Sequence, residues 1–428
     1  MAFSLSNTLK ALNLDRFKGR LPVAPPVKAS KMPEKPAPSP IAVDFGAASL
    51  KILQIMLGTF TEPARLIAAA SIETPPELYG KDAERMAFQV GSLSALLKGG
   101  SFRGRRAVCA VSARRTFVQH VQLPLNVPGT VADRVRDQVM GQAGCDPNLL
   151  IVRHVEAGEI KRQGQLRLET VCFVMPRDAV VGQMDALRAA KLECVGVHSE
   201  HQALVRTFDP ITKREEDDKL TSVYLDLGAT TTKMVLAHGR RLVLAKTIQV
   251  GWVHLRGKGV QSPGAASTLA QFAAGAVQQG SHPAASPDAQ PGESPGSPAA
   301  MNGDIPLDRR GGARPKGHVE VPEGEQTTEM RITGAIEQIT DEIGMGIRYH
   351  AALFPGRPIA RAVFVGGGAC DMDLCRHIAR KLRLAAQIAD PISTVDSGGL
   401  TNLNGLDLTI PQPGWAVPLG LCLSPTDL

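Results

Sequence analysis

IAVDFGAASLKILQI at 41–55 and VYLDLGATTTKMVLA at 223–237 repeat one pattern: apolar, any residue, apolar, Asp, apolar, Gly-Ala, then small residues and a Lys seven positions after the Asp. The apolar run before each Asp predicts a buried strand. Glycine then turns the chain into a second strand, making a β-hairpin. Gly and small side chains leave room for phosphate in such a turn. Backbone N–H groups and the hydroxyls of Ser49, Thr230, Thr231 and Thr232 are the donors that phosphate oxygens need. Asp44 and Asp226 end their strands with carboxylates of the kind that hold Mg²⁺ through its waters, and Lys51 offers a positive charge to a phosphate.

One Asp-x-Gly hairpin is a weak signal, because Asp and Gly serve turns everywhere. Here two copies lie 182 residues apart, and Val365-Gly366-Gly367-Gly368-Ala369 follows a third strand pattern, Ala362–Val365. Three glycines let a sugar or base rest on bare backbone above a helix N-terminus.

Around these motifs, short β-branched runs alternate with helical patterns, the signature of α/β architecture. Between 104 and 197 the spacing predicts strands Arg106–Ser112, Thr116–Leu123, Ile151–Ala157 and Leu166–Met175, with helices near 129–142 and 177–190. This inserted α+β module has no Gly-rich loop, carboxylate pair or His cluster, so its expected work is contact. Ile332, Ile336, Ile339, Ile343 and Ile347 mark the core face of a helix over Thr328–Leu353, which Pro355 ends. Residues 21–40 hold seven prolines and read as a disordered tether. Before it, Leu5, Leu9, Leu12 and Phe17 make a weak amphipathic pattern, open to reading as a docking helix or a frayed tail. Residues 259–328 read as disordered, from their Pro, Gly and Ser content.

The 428 residues are 43% apolar and 21% charged, enough for two or three cores. No apolar stretch approaches the ~20 residues of a membrane span, and the start lacks a secretory pattern, so a cytoplasmic protein is expected. Seven cysteines without a Cys-x-x-Cys pair argue against a disulfide framework or zinc site and read as reduced, buried hydrophobes. Net charge is only +7 and aromatics are few, which disfavours nucleic acid as a partner.

The paired hairpins and the GGGA turn resemble the phosphate-1, phosphate-2 and adenosine motifs of the actin, heat-shock-70 and sugar-kinase superfamily. Within it, 41–255 and 329–423 resemble the PilM family of actin-like type IV pilus assembly proteins, through VQLPLNVPG, GVHSEHQALVRTF, ITDEIGMGIRYHAALFPG and GWAVPLGLCL. The resemblance implies an α/β actin-like ATPase fold of two lobes with an SHS2-like α+β subdomain, 1C, at 104–197. Residues 41–103 and 198–221 would form the first lobe. Residues 222–258 and 329–428 would form the second, with a last helix returning to the first. It implies ATP and Mg²⁺ as cofactors, with Asp44, Gly46, Ser49 and Lys51 at phosphate 1, and Asp226, Gly228, Thr230 and Thr231 at phosphate 2. Gly366, Gly367 and Gly368 would serve adenosine, and Asp44 and Asp226 the Mg²⁺ through water. Glu200 falls where a carboxylate could orient an attacking water, or is a solvated helix start; His198 and His201 read as surface or packing residues.

The implied partner is a PilN-like inner-membrane protein whose N-terminal peptide docks between 1C and the first lobe. A pilus motor ATPase and self-association are further implied contacts, which would place the chain at the cytoplasmic face of the inner membrane. The sequence departs from the family where subdomain 2B should follow the second hairpin: IQVGW at 248–252 has one glycine, and the low-complexity run comes next. With 2B missing or replaced, at most weak ATP turnover is expected. A sugar kinase would need a substrate-facing Asp and usually a zinc cluster, neither visible. An FtsA-like filament would need a basic amphipathic C-terminal anchor, which SPTDL lacks.

Overall fold

The computed structural model describes residues 35–59, 62–212, 214–255, 268–280, 328–399 and 402–426. The tether before residue 35 and most of the 259–328 segment lie outside the described residues. The chain begins β1 (Ala37–Pro38), β2 (Ile41–Phe45), β3 (Ser49–Leu57), β4 (Arg65–Glu73), α1 (Asp82–Gly99) and β5 (Arg106–Val111). Next come β6 (Phe117–Pro124), α2 (Val131–Ala143), β7 (Leu150–Arg162), β8 (Gln165–Pro176), α3 (Arg177–Ala189), β9 (Glu193–Ser199) and α4 (Glu200–Arg206). The second half runs β10 (Thr221–Leu227), β11 (Thr232–His238), β12 (Arg241–Ile248), α5 (Trp252–Leu255), α6 (Leu269–Gly280) and α7 (Thr328–Leu353). It closes with β13 (Ile359–Val365), α8 (Met372–Leu382), β14 (Ala386–Ile388) and α9 (Ala416–Cys422).

Two sheets share one plan. In the first, β2 is antiparallel to β3, and β3 to β4, while β5 and β9 extend the other side in parallel. The second repeats this as β12-β11-β10-β13-β14. The central strands β2 and β10 are buried along their whole length, as expected of strands covered on both faces. Each carries its Asp at the penultimate position, so the duplication in sequence is a duplication in space.

The third sheet, β6-β8-β7, has two unlike faces. Side chains alternate along a strand: Val171, Phe173 and Met175 of β8 join the core of the second lobe, while Cys172 and Val174 pack with Val135 and Val139 of α2. The module is thus wedged against the second lobe and capped by a helix outside. On α7, Ile339 and Ile343 are fully buried in the second-lobe core, with Ile347 packed against it.

Three expectations are corrected. β5 does not belong to the inserted module; it lies between β2 and β9 of the first sheet, and Ala186 and Leu187 of α3 also pack on that sheet. The unbroken apolar run of β5 matches a strand buried at every position but the first, but does not say in which sheet. The return to the first lobe begins well before the last helix, since Ile392, Val395 and Leu406 pack with Leu53, Ile55 and Val108. Ser71 N–H also donates to Asn404 O at 2.9 Å. Finally, part of the 259–328 segment is ordered: α6 buries Leu269 and Ala273 against the module, with Phe272 5.5 Å from Phe117 ring to ring. Leu269, Phe272 and Ala273 have helical apolar spacing, which the Pro- and Gly-rich composition further along obscured.

Among the described residues no helix is long and apolar enough to cross a membrane. Of the seven cysteines, all free, Cys109, Cys172, Cys375 and Cys422 are buried, whereas Cys370 is exposed.

Candidate functional site

Both hairpin turns open into one cleft of about 140 Å³ between the lobes, walled also by Gly366, Gly367, Gly414 and the start of α9. Small-molecule sites usually span ~300–1,000 Å³, so this one has room for phosphate-sized groups. The turns are alike in detail. A Cβ on Gly46 would lie 2.9 Å from Ser49 O, and one on Gly228 would lie 2.8 Å from Thr231 O, too close for any residue but glycine.

Different elements brace the two turns. Behind the first, Arg85 Nη1 of α1 donates to Phe45 O and Gly46 O, both at 3.1 Å, and Gln89 Nε2 donates to Gly46 O at 2.8 Å. Behind the second, Thr232 Oγ1 donates to Val250 O at 2.8 Å and Trp252 N–H to Gly228 O at 3.0 Å. Thr232 is therefore structural and offers no hydroxyl to the cleft. The single glycine of IQVGW is explained by close approach: a Cβ on Gly251 would fall 2.3 Å from Ala229 O.

The seven-residue spacing puts Asp44 directly across the ladder from Lys51, and Asp226 from Lys233. The two lysines then part. Lys51 Nζ donates to Gly414 O at 2.8 Å and stands 5.9 Å from the Trp415 ring. Lys233 Nζ lies 2.8 Å from both Asp226 Oδ2 and Glu200 Oε2, with all three side chains less than a tenth exposed. Burial pushes the Asp44 carboxyl up to about 6, assisted by the Glu200 charge and opposed by Lys51. Burial likewise lowers Lys51, against the pull of Asp44. Burial acts the same way on Lys233, but Asp226 and Glu200 outweigh it and hold the ammonium above its ordinary range.

Asp44, Gly46, Ser49, Lys51, Glu200, Asp226, Gly228, Thr230, Thr231, Gly366 and Gly367 all line this cleft. Gly368 does not; it is buried, and a Cβ there would meet Leu227 at 2.9 Å and Trp252 Cβ at 3.2 Å. The glycine turn read as the adenosine platform thus carries Trp252. Its ring meets Tyr79 edge-on at 6.2 Å, and Ala47, Ala48 and Ala229 pack around the pair. The two alanines that lack hydroxyls for a phosphate are part of this apolar seam.

Glu200 starts α4, but it is buried and not solvated: Oε2 accepts from Lys233 and from Ala113 N–H at 3.3 Å. The carboxylate expected to orient water is engaged. His201 is a packing residue, its ring fixed by Ser199 and Thr247 and its pKa dropped by burial to about 3. Lys233 and Trp252 were not among the expected site residues. The Lys signal was present, since both copies carry it at the same offset; nothing local marked Trp252.

The turns keep donors for phosphates, and Asp44 lines the cleft at the first turn, but Mg²⁺ does not fit at the second. Such an ion needs carboxylates free to hold its waters, and those of Asp226 and Glu200 already accept from Lys233.

No protein-family model matches the sequence, and no curated protein matches it. Among solved structures, the chain is similar to the PilM–PilN type IV pilus biogenesis complex, with 18% identity, a TM-score of 0.60, and 91% of this chain and 98% of that chain covered. It is also similar to the ethanolamine utilization protein EutJ from Carboxydothermus hydrogenoformans (12%, TM-score 0.40, coverage 94% and 93%). A third is the cytoplasmic domain of EpsL, an inner membrane component of the type II secretion system of Vibrio cholerae (10%, TM-score 0.31, coverage 57% and 95%). Paired sheets of one topology around a cleft define the class: this is the two-lobed actin-like ATPase fold. Within the class, the likeness to PilM runs over nearly the full length of both chains, in agreement with the resemblance of the motifs.

Proposed function

We propose that the chain is an actin-like scaffold of a type IV pilus or type II secretion platform, held at the cytoplasmic face of the inner membrane by the N-terminal peptide of a PilN-like partner. The observation that carries this reading is the near-complete coverage of a PilM that was solved with its PilN. The inserted module supports a contact role. Pro124 lies opposite Arg167 in the β6–β8 ladder, so exposed Leu125, Val127 and Leu166 gather at one end of the sheet. They supply apolar area to an extended peptide.

The module rather than the tether is the expected docking element. In calorimetry with a synthetic peptide of the partner's cytoplasmic N-terminus, Val127→Asp with Leu166→Asp should weaken binding at least ~10-fold, with circular dichroism unchanged. Removing residues 1–34 should leave binding as it is. The reverse pattern would make the tether the docking element.

Enzymatic turnover is not the expected work. Glu200 and Asp226 are both tied to Lys233 and so are not free to position water, and burial raises the Asp44 carboxyl to about 6. Phosphate release from ATP should stay below about 0.01 s⁻¹, a thousandth of the ~10 s⁻¹ median for enzymes. A rate near that median would refute the scaffold reading in favour of a true ATPase.

A further inference from the structure

Two contacts cross from one lobe to the other at the cleft. The first is ionic. Lys233 and Asp226 sit on β11 and β10 of the second lobe, whereas Glu200 begins α4 at the end of the first sheet, so the 2.8 Å pair from Lys233 to Glu200 spans the lobes. The second is apolar. Trp252 leaves the second lobe and packs on Tyr79, Ala47 and Ala48 of the first. Its backbone is pinned to the second turn through Gly228, and its side chain stands over Gly367 and Gly368, with Nε1 3.6 Å from where a Cβ on Gly367 would lie.

The first contact engages Asp226 and the second covers Gly367 and Gly368, residues that the resemblance assigns to hydrated Mg²⁺ and to adenosine. We propose that the chain closes its cleft with built-in surrogates, Lys233 standing in for the divalent cation and Trp252 for the base, so that the closed state needs no nucleotide. One ammonium between two carboxylates supplies the counter-charge that a hydrated cation would otherwise bring. The indole supplies a flat apolar surface, backed by Tyr79. Lys51 keeps the first hairpin tied to Gly414, near the start of α9, by a separate hydrogen bond. The remaining cavity of about 140 Å³ is what such closure leaves.

The inference deepens the scaffold reading, and the peptide assay above tests that reading separately. Two probes test the closure on the full chain: Mn²⁺ alone, followed by electron paramagnetic resonance, and MgATP, followed by thermal unfolding. The wild-type chain should leave Mn²⁺ free and show no shift in melting temperature at 1 mM MgATP, about the upper end of enzyme KM values. Lys233→Gln should gain one Mn²⁺ site that Asp226→Asn removes. Trp252→Ala, which alters no charge and so guards against a misfolded Lys233 variant, should bind MgATP at least ~10-fold more tightly than wild type. A wild-type Mn²⁺ site lost in Asp226→Asn, or wild-type stabilisation by MgATP that ATP with a chelator does not give, would overturn the proposal while leaving the scaffold reading in place. Peptide binding lost alongside an inert cleft would overturn the scaffold and keep the closure.

Discussion

Replacing Lys233 by Met should lower stability by ~3–5 kcal/mol, the range for removing one partner of a buried ion pair. Two carboxylates, Asp226 and Glu200, would be left without their shared donor, both in surroundings where water cannot compensate. With an unfolding entropy of about 2.1 cal/mol/K per residue, a chain of this size shifts by only ~1–2 °C per kcal/mol, so the melting temperature should fall by roughly 5 °C. Lys51→Met provides the contrast. Its hydrogen-bond acceptor is the neutral Gly414 carbonyl, and the Asp44 opposite has a pKa already raised to about 6, so that site relieves itself by protonation in mild acid. The double variant Lys233→Met with Glu200→Gln should recover part of the loss, because it removes one of the stranded charges. Calorimetric melting of all three decides the matter. Equal losses for Lys233→Met and Lys51→Met would mean that the Lys233 bridge has no special weight.

The contrast between the two lysines also marks how far the sequence could be read. The Asp-to-Lys offset of seven is local, and local spacing fixes ladder register, so both Asp–Lys juxtapositions were legible. What Lys233 does next depends on Glu200, in another lobe and 33 residues away, and no periodicity reports such a contact. Trp252 is a stronger case. Its place over Gly367 follows from a second turn, a close-packed Gly251 and a third strand that meet only in space. The apolar stripe of α7 and the buried central strands were plain because burial writes itself into period and run length. β5 shows the complementary limit: an unbroken apolar run says that a strand is buried, but not in which sheet. α6 escapes a composition average over seventy residues, which hides three apolar residues at helical spacing.

Gly420→Ala should destabilise the chain by ~3 kcal/mol, the upper end of ordinary overpacking. α9 crosses α4 at this residue, and a Cβ there would stand 1.8 Å from Ala203 O and 2.7 Å from Thr207 Oγ1. Neither neighbour can give way easily: Ala203 O is helix backbone, and the single Thr207 hydroxyl proton is shared between it and Ala416 O, stitching the two helices. The helices must therefore separate. Separation strips contacts from Val417, Leu419 and Leu421, which sit in the core beneath the first sheet. It also moves α4, whose first residue is Glu200, away from Lys233, so the crossing glycine holds the ionic bridge in place from behind. A fall of about 3–6 °C in melting temperature is expected. Trp415, 2% exposed at the entry to α9, should show red-shifted emission once a Trp252→Phe background leaves it the one tryptophan of the chain's two. Gly141→Ala is the matched control. It lies within α2, a Cβ there meets nothing within 4 Å, and it should stabilise by ~0.4–1 kcal/mol through the unfolded chain. Opposite signs from the same chemical change would separate the cost of the helix crossing from helix propensity, whereas a stabilising Gly420→Ala would mean that α9 does not cross α4 at close range.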